Sequence, residues 1–188
     1  TDEIVGTKFD FMLSNPPYGK SWASEQKHIK DGSDVIDPRF IVKLKDYWGN
    51  EESCDATPRS SDGQLLFLME MVNKMKSPEH NGIGGRIASV HNGSSLFNGD
   101  AGGGESNIRR YIIENDLLNA IVQLPYNLFY NTGITAYIWL LSNNKPVQRK
   151  GKVQLIDASL MFRKLRKNLG NKNCEFAPEH IAEIMQTY

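Results

Sequence analysis

Two apolar runs, 118–124 and 135–141, lie ten residues apart with no helical pattern between them. That spacing restricts the fold more than any other feature of the chain. A parallel crossover takes a dozen or more residues, usually with a helix, so these two strands are expected to pair antiparallel. Elsewhere strand and helix patterns alternate. A strand over 9–14 precedes a helix over 63–76, N-capped from Ser61-Asp62, and a strand over 86–91 precedes a helix over 106–115. An edge strand over 153–158 and a short amphipathic helix over 179–188, with Pro178 near its first turn, complete the series. The alternation predicts an α/β sheet, mostly parallel, with an antiparallel final strand pair. Residues 19–61 are polar, show few periodic apolar positions and read as irregular.

The first strand, an apolar run of the kind that is buried, stops at Asn15-Pro16-Pro17-Tyr18. Neither proline can donate to a ladder, so pairing ends there. Pro16 has its φ fixed by its own ring, and Pro17 biases residue 16 toward an extended shape, which pre-aims the Pro16 carbonyl. An amide, two proline carbonyls and an aromatic ring are thus presented at the C-terminal end of a strand, the edge at which open α/β sheets bind ligands.

A hydrophobic content of 39% with 23% charged residues is that of an ordinary globular chain. No apolar run nears the roughly 20 residues that span a bilayer, so no membrane is expected as a partner. Thr1 opens the chain with no leader pattern behind it, which suggests a start inside a longer protein and a cytoplasmic location. Cys54 and Cys174 have no CxxC spacing and are expected to stay reduced. The zero net charge conceals an asymmetry: residues 145–172 hold nine Lys and Arg against Asp157 as the lone acid. This window is either a surface that tracks phosphates or an acidic partner, or a solvated face, and no aromatic platform is interleaved in it. The four histidines (28, 80, 91 and 180) lack ligand spacing, so no metal is expected. His91 ends a strand beside Asn92 and either lines the cleft or serves the core. Arg109 and Arg110 either meet phosphate or solvate their helix.

A strand ending in Asn15-Pro16-Pro17-Tyr18 resembles the catalytic motif of S-adenosylmethionine-dependent amino-methyltransferases. Further along stand Leu96-Phe97-Asn98-Gly99 with Ile108-Arg109-Arg110, then Ala120 through Pro125 and Asn127 through Ile134. Ile156-Asp157-Ala158-Ser159 and Lys167-Asn168-Leu169 follow. In this order they are similar to the modification subunit of type I restriction–modification systems, over most of residues 9–188.

The resemblance implies the second half of a Rossmann-like methyltransferase sheet and methylation of adenine N6 in DNA by S-adenosylmethionine. It assigns catalysis to Asn15, Pro16, Pro17 and Tyr18, stacking on an extruded base to Tyr18 and Phe129, and a share in binding the methyl donor to Asn15. Phe129 read without the family is a loop aromatic that plugs the core. The implied partners are double-stranded DNA, a specificity subunit, a second modification subunit and a restriction subunit. By the same resemblance, residues 1–145 are the C-terminal half of a catalytic domain with 19–61 as an irregular insertion, and 146–188 are a basic extension holding the edge strand and short helix.

One departure limits the parallel. The family's glycine-bearing donor loop, and the acidic residue for the ribose, precede this tetrapeptide, and only eight residues precede Phe9. Most of the donor's site is therefore expected outside the chain, which by itself is expected to be inactive. The glycines over 99–104 follow the wrong strand to replace that loop. Two other readings stand beside the leading one: methylation of protein glutamine or RNA, and a non-catalytic assembly or DNA-binding piece.

Overall fold

The computed structural model describes residues 4–130 and 133–188, so Asn131 and Thr132 of the 127–134 motif lie outside the described residues. The chain opens with β1 (Phe11–Ser14), two short hairpins formed by β2 (Lys30–Asp31) with β3 (Asp34–Val35) and β4 (Ile41–Lys45) with β5 (Glu51–Asp55), and helix α1 (Gln64–Asn73). A short α2 (Pro78–Asn81), β6 (Arg86–Asn92), a short α3 (Ser94–Phe97) and α4 (Gly104–Glu114) follow. The second half comprises β7 (Leu118–Gln123), β8 (Ala136–Ser142), β9 (Gln154–Asp157), the hairpin of β10 (Arg163–Leu169) with β11 (Lys172–Glu175), and α5 (Pro178–Thr187).

Five strands form the central sheet in the order β1-β6-β8-β7-β9. β1 pairs parallel with β6 through Met12↔Ile87 and Ser14↔Ser89, and β7 pairs parallel with β9 through Val122↔Ile156. The expected antiparallel pair is present, as in Val122↔Ile138. β8 also runs antiparallel to β6, with Val90↔Ile138 in register, and so sits as the one reversed strand between β6 and β7. Because β1, β6, β7 and β9 share a direction, the segments that leave them all emerge at one edge.

The strands' period of two sends alternate side chains to opposite faces. On one face Ile87, Trp139 and Leu141 meet Leu65, Leu68 and Met69 of α1, Ile108 and Ile112 of α4, and Val42 and Leu44 of β4. On the other, Val122, Ile156 and Ala136 pack with Leu128 and Cys174, and Ile184 of α5 leans on them.

Three expectations need correction. Residues 19–61 are not irregular throughout: they hold the two hairpins, β4 alternates exposed and buried positions, and its Val42 and Leu44 are buried beneath α4. The first strand is not buried either. It lies at the outer edge of the described sheet, with Phe11 65% and Leu13 85% exposed, while Met12 packs inward. α1 is capped at Gly63 rather than by Ser61 or Asp62, although Asp62 Oδ1 still accepts from the Gln64 N–H at 3.3 Å.

Among the described residues no helix is long and apolar enough to cross a membrane. Cys54 and Cys174 are both free thiols, 174 in the second core.

Candidate active site

Pairing of β1 with β6 ends at Ser14, and Asn15 through Tyr18 turn away from the sheet. Pro16 is buried, Tyr18 half-buried, and Asn15 exposed. The Tyr18 hydroxyl donates to Asn15 Oδ1 at 2.5 Å, closing the turn on itself. Burial pushes the Tyr18 phenol above its ordinary pKa, so it stays a donor. Asn15 Oδ1 keeps one lone pair, and the Pro16 carbonyl accepts no hydrogen bond among the described residues. Two acceptors are therefore available at the strand end.

What fixes this turn is a polar network that the sequence did not reveal. The Gly19 N–H donates to Asp62 Oδ1 at 3.1 Å, and the Gly63 N–H to the Lys20 carbonyl at 3.0 Å. Asp62 Oδ2 accepts from Gln64 Nε2 (2.7 Å) and Ser94 Oγ (2.9 Å). Gln64 Nε2 also reaches Asn92 Oδ1 at 2.7 Å, and its Oε1 accepts from the Asn92 N–H at 3.2 Å. Asp62, Gln64, Asn92 and Ser94 thereby join the turn after β1 to the start of α1 and the end of β6. Trp22 adds a second clamp, its Nε1–H donating to the Arg59 carbonyl at 2.9 Å. Ser61-Asp62 carried only a capping signal in the sequence, and a first-turn glutamine such as Gln64 gives no sign that it will be buried.

The opposite wall leaves β7. Leu124, Pro125 and Leu128 are buried, and Phe129 is half-buried against the second core. Asn127 takes a left-handed φ of 57°, which Asn tolerates better than most residues, and the turn there exposes Tyr126 and Tyr130. β6 and β8 separate β1 from β7, which puts the two loop origins about 14 Å apart at three strand spacings. The rings of Tyr18 and Phe129 share an edge of the sheet, and neither stacks on another ring among the described residues.

The remaining candidates have structural occupations. His91 is fully buried, edge-on to Trp139 with ring centroids 5.9 Å apart. His180 Nδ1 accepts from the Ala177 N–H at 3.0 Å and caps α5. Arg109 donates to the Ser95 carbonyl at 3.2 Å, and Arg110 pairs with Glu114 at 2.6 Å.

The glycine loop over 99–104 does not fit a cradle for the methyl donor. A Cβ on Gly104 would lie 1.7 Å from the Thr57 carbonyl oxygen, so backbone already fills that space. The Glu105 carboxylate takes the Arg59 N–H and guanidinium, both at 2.9 Å, beside the same helix start.

The family model for N-6 DNA methylases matches residues 2–188. The chain belongs to the N-6 DNA methylase family. Among curated members, it is 41% identical over 187 residues to the type I restriction enzyme MjaVIII methylase subunit of Methanocaldococcus jannaschii, covering 99% of this chain and 28% of that protein. It is 31% identical to the HindI methylase subunit of Haemophilus influenzae, over 97% of this chain and 34% of the relative. The crystal structure of a type I restriction-modification system methyltransferase subunit from Streptococcus thermophilus superposes with a TM-score of 0.71 at 26% identity, covering all of this chain and 33% of that one. A class I S-adenosylmethionine-dependent methyltransferase described as putative, from Listeria monocytogenes, shares the fold at a TM-score of 0.53 and 15% identity, over 97% of this chain and 42% of that one. This N-6 DNA methylase chain thus spans about a third or less of the curated relatives named.

Proposed function

We propose that the chain supplies the base-gripping part of a DNA adenine-N6 methyltransferase of the type I modification class. The observation that carries the reading is the pair of acceptors at the end of β1: Asn15 Oδ1, held at 2.5 Å by the Tyr18 hydroxyl, and the unoccupied Pro16 carbonyl. An exocyclic amino group carries two hydrogens and a lone pair delocalised into its ring. Two acceptors on those hydrogens favour a pyramidal nitrogen, and their attraction grows as positive charge develops on it, so they serve the transition state more than the ground state. S-adenosylmethionine, when bound, supplies the methyl group. Asn15, Pro16 and Tyr18 hold and orient the acceptor nitrogen, and no covalent enzyme intermediate is needed.

An adenine in a duplex cannot reach such a turn and must be extruded, its lost stacking replaced by Tyr18 on one side and Phe129 on the other. In this reading residues 1–145 form the C-terminal part of the catalytic domain and 146–188 a basic extension. The complete cytoplasmic enzyme works with a specificity subunit, a second modification subunit and a restriction subunit.

The test is methyl transfer from labelled S-adenosylmethionine to duplex DNA by the complete enzyme carrying Asn15→Ala or Tyr18→Phe. Asn15→Ala is expected to abolish transfer. Tyr18→Phe keeps the ring and loses the hydrogen bond, and is expected to lower kcat about tenfold, the worth of one hydrogen bond of roughly 1.4 kcal/mol, with DNA affinity retained. Undiminished transfer in Asn15→Ala, or label found in protein or RNA rather than DNA, would reject the reading.

A further inference from the structure

The β10–β11 hairpin carries charge that the rest of the described chain does not neutralise. Arg163 pairs with Glu175 at 2.9 Å, and Lys172 Nζ donates to the carbonyls of Leu128 (2.7 Å) and Cys174 (2.9 Å). Lys164, Arg166 and Lys167 are exposed and have no ion pair or side-chain hydrogen bond among the described residues. Three uncompensated cations within four residues repel one another, and such a cluster is stabilised by an anionic partner.

The hairpin is also firmly rooted. The Asn173 N–H donates to the Asn127 carbonyl at 3.2 Å, the Cys174 thiol to the Tyr126 carbonyl at 3.3 Å, and Cys174 is buried in the second core. All of these bonds lead to the loop that carries Phe129. Tyr126 and Tyr130 of that loop are 57% and 61% exposed, and the Lys172 ammonium lies 5.7 Å from the centre of the Tyr130 ring. The aromatic groups missing from the basic run are therefore delivered by a segment some forty residues earlier in the chain. Cations beside exposed rings are the surface chemistry of a nucleic-acid backbone site. β10 is about 20 Å long at 3.3 Å per residue, enough to follow several phosphates of one strand.

We infer that the β10–β11 hairpin grips the DNA backbone beside the extruded base, with Lys164, Arg166 and Lys167 on phosphates. This deepens the proposed function and rests on it: the loop that would meet the base is the loop to which the hairpin is bonded. An acidic protein would satisfy the charges equally, but it would have no use for a hairpin bonded through Lys172, Asn173 and Cys174 to the loop that carries Phe129.

The experiment uses the complete modification enzyme with its partner subunits and a duplex bearing its target site. Binding is measured against salt concentration for wild type, for the triple variant Lys164→Gln, Arg166→Gln, Lys167→Gln, and for Lys43→Gln, Lys45→Gln on the opposite face of the sheet. Each lost phosphate contact should lower the slope of log K against log[salt] by about 0.9, so the triple variant is expected to be shallower by roughly 2 to 3. Lys164→Arg with Lys167→Arg should keep the wild-type slope, and the Lys43, Lys45 variant should match wild type. An unchanged slope in the triple variant overturns the inference. Loss of a partner subunit at unchanged slope overturns it too, and assigns the hairpin to protein docking. A wild-type enzyme that methylates DNA while either result holds leaves the proposed function intact; one that does not methylate DNA rejects that function first.

Discussion

The backbone N–H of Asn92 can only donate, so the Gln64 atom facing it at 3.2 Å is Oε1. His91 Nδ1 lies 3.2 Å from the same oxygen and must therefore carry the proton, leaving Nε2 an acceptor with no partner among the described residues. A second proton would place a charge in the apolar core between α1 and the sheet, and this desolvation pushes the His91 pKa down to about 4. The unfolded chain takes up that proton near pH 6.5, so the unfolded state binds more protons than the native one between pH 6.5 and 4. Stability contributed by neutral His91 is complete above 6.5 and is lost as pH falls toward 4, by about 3 kcal/mol over that window. Asp37 and Asp55 act lower. Burial raises their pKa values, but bonds from Arg39 and from Lys30 bring them below 3.8, so their contribution is present above 3.8 and lost beneath it. Urea titrations between pH 7 and 4.5 should give a falling stability in wild type and a flatter profile in His91→Leu. Parallel profiles would show that His91 does not set the slope.

At the scale of elements, what the sequence disclosed depended on how long a pattern ran. The strands 86–91, 118–124 and 135–141 and the helix over 106–115 carry enough repeats of a period of two or 3.6 to be read, and each is found within two residues of its expected limits. The antiparallel turn-back followed from loop length alone. β4 shows the opposite case. Ile41-Val42-Lys43-Leu44-Lys45 alternates, but over five residues only, and its partner Glu51–Asp55 has no apolar alternation. The hairpin is held instead by α4, which covers Val42 and Leu44, and by a turn in which Asp46 Oδ1 accepts from the N–H groups of Trp48 (2.8 Å) and Asn50 (2.7 Å). The Asn15–Tyr18 turn was legible because prolines leave a local mark. Its supporting network was not, since Asp62, Gln64 and Ser94 meet only through tertiary contact. Leu44→Ala should cost about 2–5 kcal/mol by leaving a cavity under α4, whereas Trp48→Ser, at the exposed tip, should change stability by less than about 0.5 kcal/mol. Chemical denaturation of the two variants against wild type measures the contrast, and equal effects would mean that the hairpin is not part of the core.

On the scale of the whole molecule, the sheet assembles one edge out of distant segments. β1 delivers Asn15 and Tyr18, β6 delivers Asn92 and Ser94, and β7 delivers the Phe129 loop with the basic hairpin attached. In the glycine loop over 99–104, Gly104 is closed by the Thr57 backbone and Gly99 by Glu105, whose carboxylate is held by Arg59. Meanwhile the outer edge of β1, with Phe11 and Leu13 exposed, leaves a row of strand N–H and C=O groups able to pair with a further strand. On the proposed function, an edge that grips the base while Gly104 is packed against the Thr57 backbone should hold S-adenosylmethionine weakly, because Asn15 alone cannot fix a charged sulfonium and an adenosine together. Calorimetry on the 188-residue chain, shown to be folded by circular dichroism, is therefore expected to give no micromolar binding, while the full-length protein binds in that range. Micromolar binding by the 188 residues would mean that the glycine loop opens to the donor. In that case Glu105→Gln, which weakens the Arg59 latch, would tighten binding further, and an unaltered affinity would place the donor elsewhere on the sheet edge.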